Sequence, residues 1–144
     1  RGKILLGENL SDHIMMGGYA VSGKDASGHD EYTNFNTLSA WGNIVYGKDL
    51  QIGIFTGFSQ HLGSNKTLDS NIKAYGRGYY SNNEMLFRLI RYSPFISYKV
   101  SDLKFGLEFE FTGAEYGKLQ QTGEVINPYR IQNDRILGSV TYNF

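Results

Sequence analysis

The 144-residue chain contains no cysteine, which excludes a disulfide framework and any thiolate metal site. Proline is scarce, with two residues. Neither charge is in surplus, because 14 Lys and Arg balance 14 Asp and Glu. Binding to phosphates needs a basic excess on one face, so nucleic acid is not expected as a partner. No apolar run approaches the roughly 20 residues of a membrane-spanning helix. That absence does not exclude a membrane. Barrel strands alternate lipid-facing and lumen-facing residues, so their average hydropathy stays modest. No signal peptide is present, and the expectation is a mature, processed or truncated chain.

Glycine (18), tyrosine (11) and phenylalanine (9) are abundant instead, a mix that favours strands and tight turns. The strongest pattern is a period of two within segments, which reads as strands with one apolar face. In Leu103–Tyr116, Leu103, Phe105, Leu107, Phe109 and Phe111 share one face, and Lys104, Gly106, Glu108, Glu110 and Thr112 share the other. Five large apolar side chains in a row favour burial in oil or in a core, while the opposite face must meet water. In Arg135–Phe144, Ile136, Val140, Tyr142 and Phe144 oppose Arg135, Ser139, Thr141 and Asn143, with Leu137 as the exception. Leu50–Leu62 alternates in the same way, as does Thr37–Tyr46 apart from Trp41, which falls on the polar face without an evident reason. Met85–Tyr98 loses phase between Leu89 and Tyr92, and a β-bulge there would restore it. A strand near His13–Ser22 has no clear phase.

Connection lengths are a second signal. Short links (Glu8–Asp12, Gly47–Asp49, Ser101–Asp102) alternate with long ones (about Gly23–Glu31, Gly63–Glu84 and Gly117–Asn133). Up-and-down outer-membrane barrels have this asymmetry, with short periplasmic turns and longer external loops. The count is about six strands plus a stub at Lys3–Leu6. Spanning barrels start at about eight strands, and in hydrocarbon every backbone polar group must be paired. The expected fold is therefore all-β: an antiparallel up-and-down transmembrane β-barrel, of which residues 1–144 are the C-terminal portion of a single domain. Its missing N-terminal strands and outer-membrane lipid are the expected partners. Tyr46, Tyr98, Tyr142 and Phe144 end strands on the periplasmic side, where amphipathic rings suit a membrane interface. An aromatic final residue also resembles the terminal signature of such barrels.

Several stretches resemble the DcaP-like outer-membrane porins: Gly17-Gly18-Tyr19-Ala20-Val21, Tyr75-Gly76-Arg77-Gly78, Arg91-Tyr92-Ser93-Pro94, Glu108-Phe109-Glu110-Phe111-Thr112, Ala114-Glu115-Tyr116-Gly117, Asn133-Asp134-Arg135 and the final Tyr-Asn-Phe. The resemblance implies a barrel of about sixteen strands, usually a homotrimer, that passes small and often anionic solutes by diffusion.

In a porin the working residues are lumen-facing charges. The candidates are Lys104, Glu108, Glu110 and Arg135, with Arg88 and Arg91 in addition, of which the bulge leaves only one surely inward. The same charges would serve equally to solvate the interior of the barrel. Arg77, between two glycines in the long loop, is a candidate constriction residue or a surface turn. His29-Asp30 has the residue types of a general-base pair but lies in a Gly/Ser/Asp-rich loop that reads as a turn. Ser59 and His61 share a face without a third partner. His13, His29 and His61 are scattered, with no ligand spacing, so neither an enzyme, a metal nor a cofactor is expected. Asn65-Lys66-Thr67 has the form of a glycosylation sequon, which means little in a bacterial barrel. The competing readings are a soluble barrel or sandwich that binds a ligand, with the Phe-rich face in its core, and a barrel enzyme.

Overall fold

The computed structural model describes residues 1–13, 15–80 and 82–143, without the side chains of Asp12 and His13. Phe144, expected at the membrane interface, lies outside the described residues. The strands are β1 (Gly2–Glu8), β2 (Tyr19–Lys24), β3 (Asp30–Gly47), β4 (Leu50–Ser64), β5 (Ala74–Tyr75), β6 (Glu84–Val100), β7 (Leu103–Leu119) and β8 (Val125–Tyr142). They form one antiparallel sheet in the order β5-β2-β3-β4-β6-β7-β8, with β1 also paired to β3. The sheet curls into a half-barrel. Among the described residues the only helical turn is a 3-10 turn at Leu10–His13, and no helix is long and apolar enough to cross a membrane.

Local chemistry sets the turns. β3–β4 and β6–β7 are joined by two residues each, Lys48-Asp49 and Ser101-Asp102. Gly47 (φ 109°) and Ser101 (φ 53°) supply the left-handed backbone that such tight hairpins require. At the opposite, upper end, the Asp25 carboxylate accepts the N–H groups of Ser27 (2.8 Å) and His29 (2.9 Å) to close the β2–β3 turn. The His29 N–H is the largest cause holding the Asp25 carboxyl below the ordinary carboxylate range.

Four sequence expectations change. β1 and β2 are not neighbouring strands across a short turn. Both pair with β3, β1 along Asn36–Gly42 and β2 along Asp30–Asn34, so they are two halves of one interrupted strand. The strand near His13–Ser22 begins only at Tyr19. Of the three long links, Gly117–Asn133 is mostly strand, because β7 and β8 continue to Leu119 and Val125. Finally, β4 and β6 stay in register from Gln60↔Arg88 to Leu50↔Tyr98, and the shift lies between Leu86 and Arg88. The apparent loss of phase comes from Leu89 and Phe95, which share the polar face.

The two faces are unlike. The buried polar residues Thr33, Thr37, Ser39, His61, Ser93, Ser97 and Glu110 share one face through the cross-strand pairs Thr37↔His61, Ser39↔Ser59, Gln51↔Ser97 and Glu110↔Arg135. The other face exposes Ile44, Ile52, Ile96, Phe105, Phe109, Ile136 and Val140. The polar face is concave: the Lys104 amine on β7 donates to Gln51 Oε1 on β4, 3.2 Å away, across β6.

The long segment 65–83 does not stand free. It folds across the upper end of the sheet, where the Leu68 N–H donates to Gln121 O (2.7 Å) and Asp69 and Lys73 bracket Val21 by backbone bonds. β5 then pairs with β2 through Tyr19↔Tyr75 and Ala20↔Ala74. Gly18 (φ 148°) admits this contact, since a side chain there would collide with the Tyr75 carbonyl. Ala20, Phe35, Leu68, Ala74, Met85 and Leu119 form a small apolar cluster beneath. His61 ties the β7–β8 tip down through Nε2 and the Gly123 carbonyl, 2.7 Å apart, with its ring edge-on to Phe35.

Phe35 is fully buried, so Phe35→Ala is expected to cost about 3–5 kcal/mol and to loosen segment 65–83. Hydrogen exchange checks this: protection of the Leu68 and Asp69 amides falls. Unchanged protection of both amides would show that the cluster does not hold the segment.

Candidate functional site

The charges concentrate on the concave face of β6, β7 and β8. Arg91↔Thr112, the Glu110↔Arg135 pair and Phe95↔Glu108 place them in successive rows. Glu110 is the centre. Its side chain is 11% exposed and receives Arg135 Nη2 at 2.9 Å and Arg91 Nη1 at 3.5 Å. Arg91 Nε also donates to Thr112 Oγ1 (3.0 Å). One buried carboxylate thus carries two guanidinium groups, whose planar donors suit such bridging. The triad leaves a local excess of one positive charge.

Nearer the lower turns, Lys104 and Glu108 line a cleft of about 270 Å³ with Phe95, Ser97, Leu137 and Ser139. Lys104 and Ser97 both donate to Gln51. A polar, water-accessible wall with fixed acidic and basic groups is suited to attract and sort small ions.

The sequence candidates divide. Arg91, Lys104, Glu108, Glu110 and Arg135 share the concave face. Arg88 is the correction: it pairs across to Glu115 on the convex face, with Nη1 3.4 Å from Glu115 Oε2 and its guanidinium over the Phe87 ring. Arg88 and Arg91 are three positions apart, an odd spacing, so a regular strand puts them on opposite sides. Arg77 is exposed in segment 65–83, and its carbonyl accepts the Gly17 N–H (3.1 Å). Tyr46, Tyr98 and Tyr142 are exposed on the convex face at the lower end of β3, β6 and β8. His29 bonds only within its own turn, to Asp25. Among the described residues no cluster of three His, Cys, Asp or Glu is placed to hold a metal.

Sequence reading missed the rings on the polar face. Trp41, Phe55 and Phe95 all lie there, Trp41 stacking on Phe55 with centroids 6.3 Å apart. The signal was present as apolar residues on the polar parity, Trp41 and Val45 in Thr37–Tyr46 and Phe55 in Leu50–Leu62. No protein-family model, curated protein or solved structure matches the chain.

Loss of one partner from a buried ion pair costs about 3–5 kcal/mol, and partial solvation of both arginines reduces this to about 1–3 kcal/mol. Glu110→Gln, which strands both arginines, should therefore destabilise more than Arg135→Gln, which leaves Glu110 paired with Arg91. Urea unfolding midpoints order the two. Equal midpoints for both variants and the parent would contradict the triad.

Proposed function

We propose that this chain is part of an outer-membrane β-barrel porin that passes small hydrophilic solutes by diffusion, in a DcaP-like, trimeric assembly. The observation that carries the reading is the inversion of the two faces. A water-soluble sheet buries its apolar face, whereas this one buries serine, threonine, histidine and glutamate and exposes isoleucine and phenylalanine.

The exposed apolar face has the height of a bilayer. Its apolar or near-neutral stretches run Leu38–Tyr46, Leu50–Phe58, Ile90–Tyr98 and Leu103–Phe111, nine residues each. Tilted membrane strands need about 9–11 residues. On the same face the next large residues upward are polar: Asn36, Gln60, Arg88, Glu115 and Asp134. The interface tyrosines Tyr46, Tyr98 and Tyr142 mark the lower border. Arg88 therefore belongs to the upper border rather than to the pore wall.

The backbone supports the same reading. Among the described strands β8 pairs only with β7 and stands at the edge of the sheet. In hydrocarbon that edge must be paired, and further strands of the same barrel along β8 and β1 would close the wall. The concave face would then enclose water, with Lys104, Glu108 and the Glu110 triad beside the solute path.

Reconstituted in a planar bilayer, the protein is expected to conduct. Glu108→Lys, which spares the triad, should raise anion over cation permeability, and Lys104→Glu should lower it, read from the reversal potential in a salt gradient. No conductance would overturn the porin reading. Conductance with an unmoved reversal potential in both variants would remove this wall from the solute path.

A further inference from the structure

The β7–β8 hairpin does not end in open solvent. β6 lies between β4 and β7 in the sheet, yet the tip of the hairpin crosses the concave face to meet His61 on β4. The bend has a source. β7 and β8 lose register between Tyr116 and Lys118, and opposite that point Asn127 takes a left-handed φ of 50°. A bulge of this kind bends a strand and gives the tip a hinge. Beyond the hinge only Lys118↔Ile126 and Leu119↔Val125 remain in the ladder. Contacts with β4 and segment 65–83 hold the tip down. The Leu68 N–H donates to Gln121 O (2.7 Å). Gly123 (φ 79°) sits so close to Ser64 that a side chain there would collide with it. The third contact is the bond between His61 Nε2 and the Gly123 carbonyl, at 2.7 Å.

His61 is the contact that a proton can change. A carbonyl only accepts, so Nε2 carries the hydrogen and the neutral ring leaves Nδ1 bare. Nδ1 is buried without a partner, and the residue is 2% exposed. Phe35 stands edge-on to the ring, and the cross-strand neighbour Thr37 is fully buried and uncharged. The charged groups on the elements around it are engaged elsewhere among the described residues. Glu124 bonds the Thr122 hydroxyl, Lys118 the Asn82 carbonyl, Lys66 pairs with Glu31, and Asp69 accepts the Asn71 N–H. Arg88 pairs with Glu115 on the convex face, Glu8 accepts from Asn65, and Lys73 and Arg77 are exposed at the β2 end of segment 65–83. A proton on Nδ1 would therefore make a buried cation with no counter-charge, a costly state that opening to water relieves. Burial holds the imidazole below its ordinary range, partly offset by the Gly123 carbonyl. His61 lies above the apolar stretch Leu50–Phe58.

We propose that the β7–β8 tip is a gate over the mouth of the channel, latched by His61 and released by acid. The sign follows from where the proton binds better. A released, solvated imidazole takes up a proton at about pH 6.5, and the latched one only at lower pH. The latch is therefore complete above about pH 6.5 and weakens as the pH falls below it. The tip then turns about the bulge while β7 and β8 stay paired beneath. This deepens the porin reading, which supplies what passes the mouth.

The chain has no cysteine, so a nitroxide on Thr122→Cys is the only label and reports the motion of the tip in detergent micelles. A restrained spectrum is expected at about pH 7.5, with a mobile fraction several-fold larger at about pH 5. Its midpoint should coincide with the titration of the His61 ring followed by NMR. His61→Gln keeps an N–H for the Gly123 carbonyl but does not titrate, so its tip should stay restrained in acid. His29→Gln, in an exposed turn, should respond as the parent does. A parent tip equally restrained at both pH values, a response that persists in His61→Gln, or a midpoint away from the His61 titration would overturn the latch. The midpoint comparison needs no variant at position 61 and stands even if His61→Gln fails to fold. In planar bilayers conductance should rise in acid for the parent and not for His61→Gln. A protein that conducts without that difference refutes the gate alone, and one whose tip responds but that does not conduct refutes the porin alone.

Discussion

Neighbouring residues on a pleated strand face opposite ways, and every other feature of this sheet depends on that constraint holding across β3, β4, β6, β7 and β8 together. A slip of one residue in any ladder would put phenylalanine among the arginines and glutamate among the isoleucines. The ladders resist slipping because both faces are specified. On one, Glu110 must meet Arg91 and Arg135. On the other, Tyr92 stacks on Phe111 at 4.9 Å. Register is weakly set in strands with two polar faces, and the tight links Lys48-Asp49 and Ser101-Asp102 fix it further at the lower end.

At the upper end the rule changes, because the convex side turns polar above Asn36, Gln60, Arg88 and Glu115 and other contacts must hold the strands. The apolar cluster around Phe35 and Met85 does this on the concave side. The His61 contact with Gly123 and the β2–β5 pairing bind the β7–β8 tip and segment 65–83 over it. In the proposed barrel these elements stand above the bilayer and narrow the mouth, so solutes would meet a restricted entrance before the charged wall. The Trp41–Phe55 stack lies below that cap, in a cleft shared with Met15 and Met16.

Strands with one apolar face were legible in the sequence wherever large side chains alternate with charges, as in Leu103–Phe111. The candidates Lys104, Glu108, Glu110 and Arg135 followed from that parity alone. Legibility ended where the reason for alternation ended. The upper halves of β7 and β8 carry polar residues on both faces, so Gly117–Asn133 read as a loop although most of it is paired. The interruption between β1 and β2 was invisible because pairing partners are set by the sheet and not by local spacing. Leu89, Phe95 and Trp41 broke the pattern for a physical reason: on the concave face Phe95 packs over Gly53, Trp41 stacks on Phe55, and Leu89 lines a cleft with Met15 and Met16. Composition and period describe the average wall, and these residues depart from it at one place.

The central claim is that the face bearing Phe105 and Phe109 meets lipid while the face bearing Lys104 and Glu108 meets water. The chain has no cysteine, so single cysteines from position 103 to 111, spin-labelled in bilayers, can be read without background. The account predicts that accessibility to oxygen peaks at 103, 105, 107, 109 and 111, and that accessibility to a water-soluble nickel chelate peaks at 104, 106, 108 and 110. The same accessibility at odd and even positions, or the opposite phase, would contradict it.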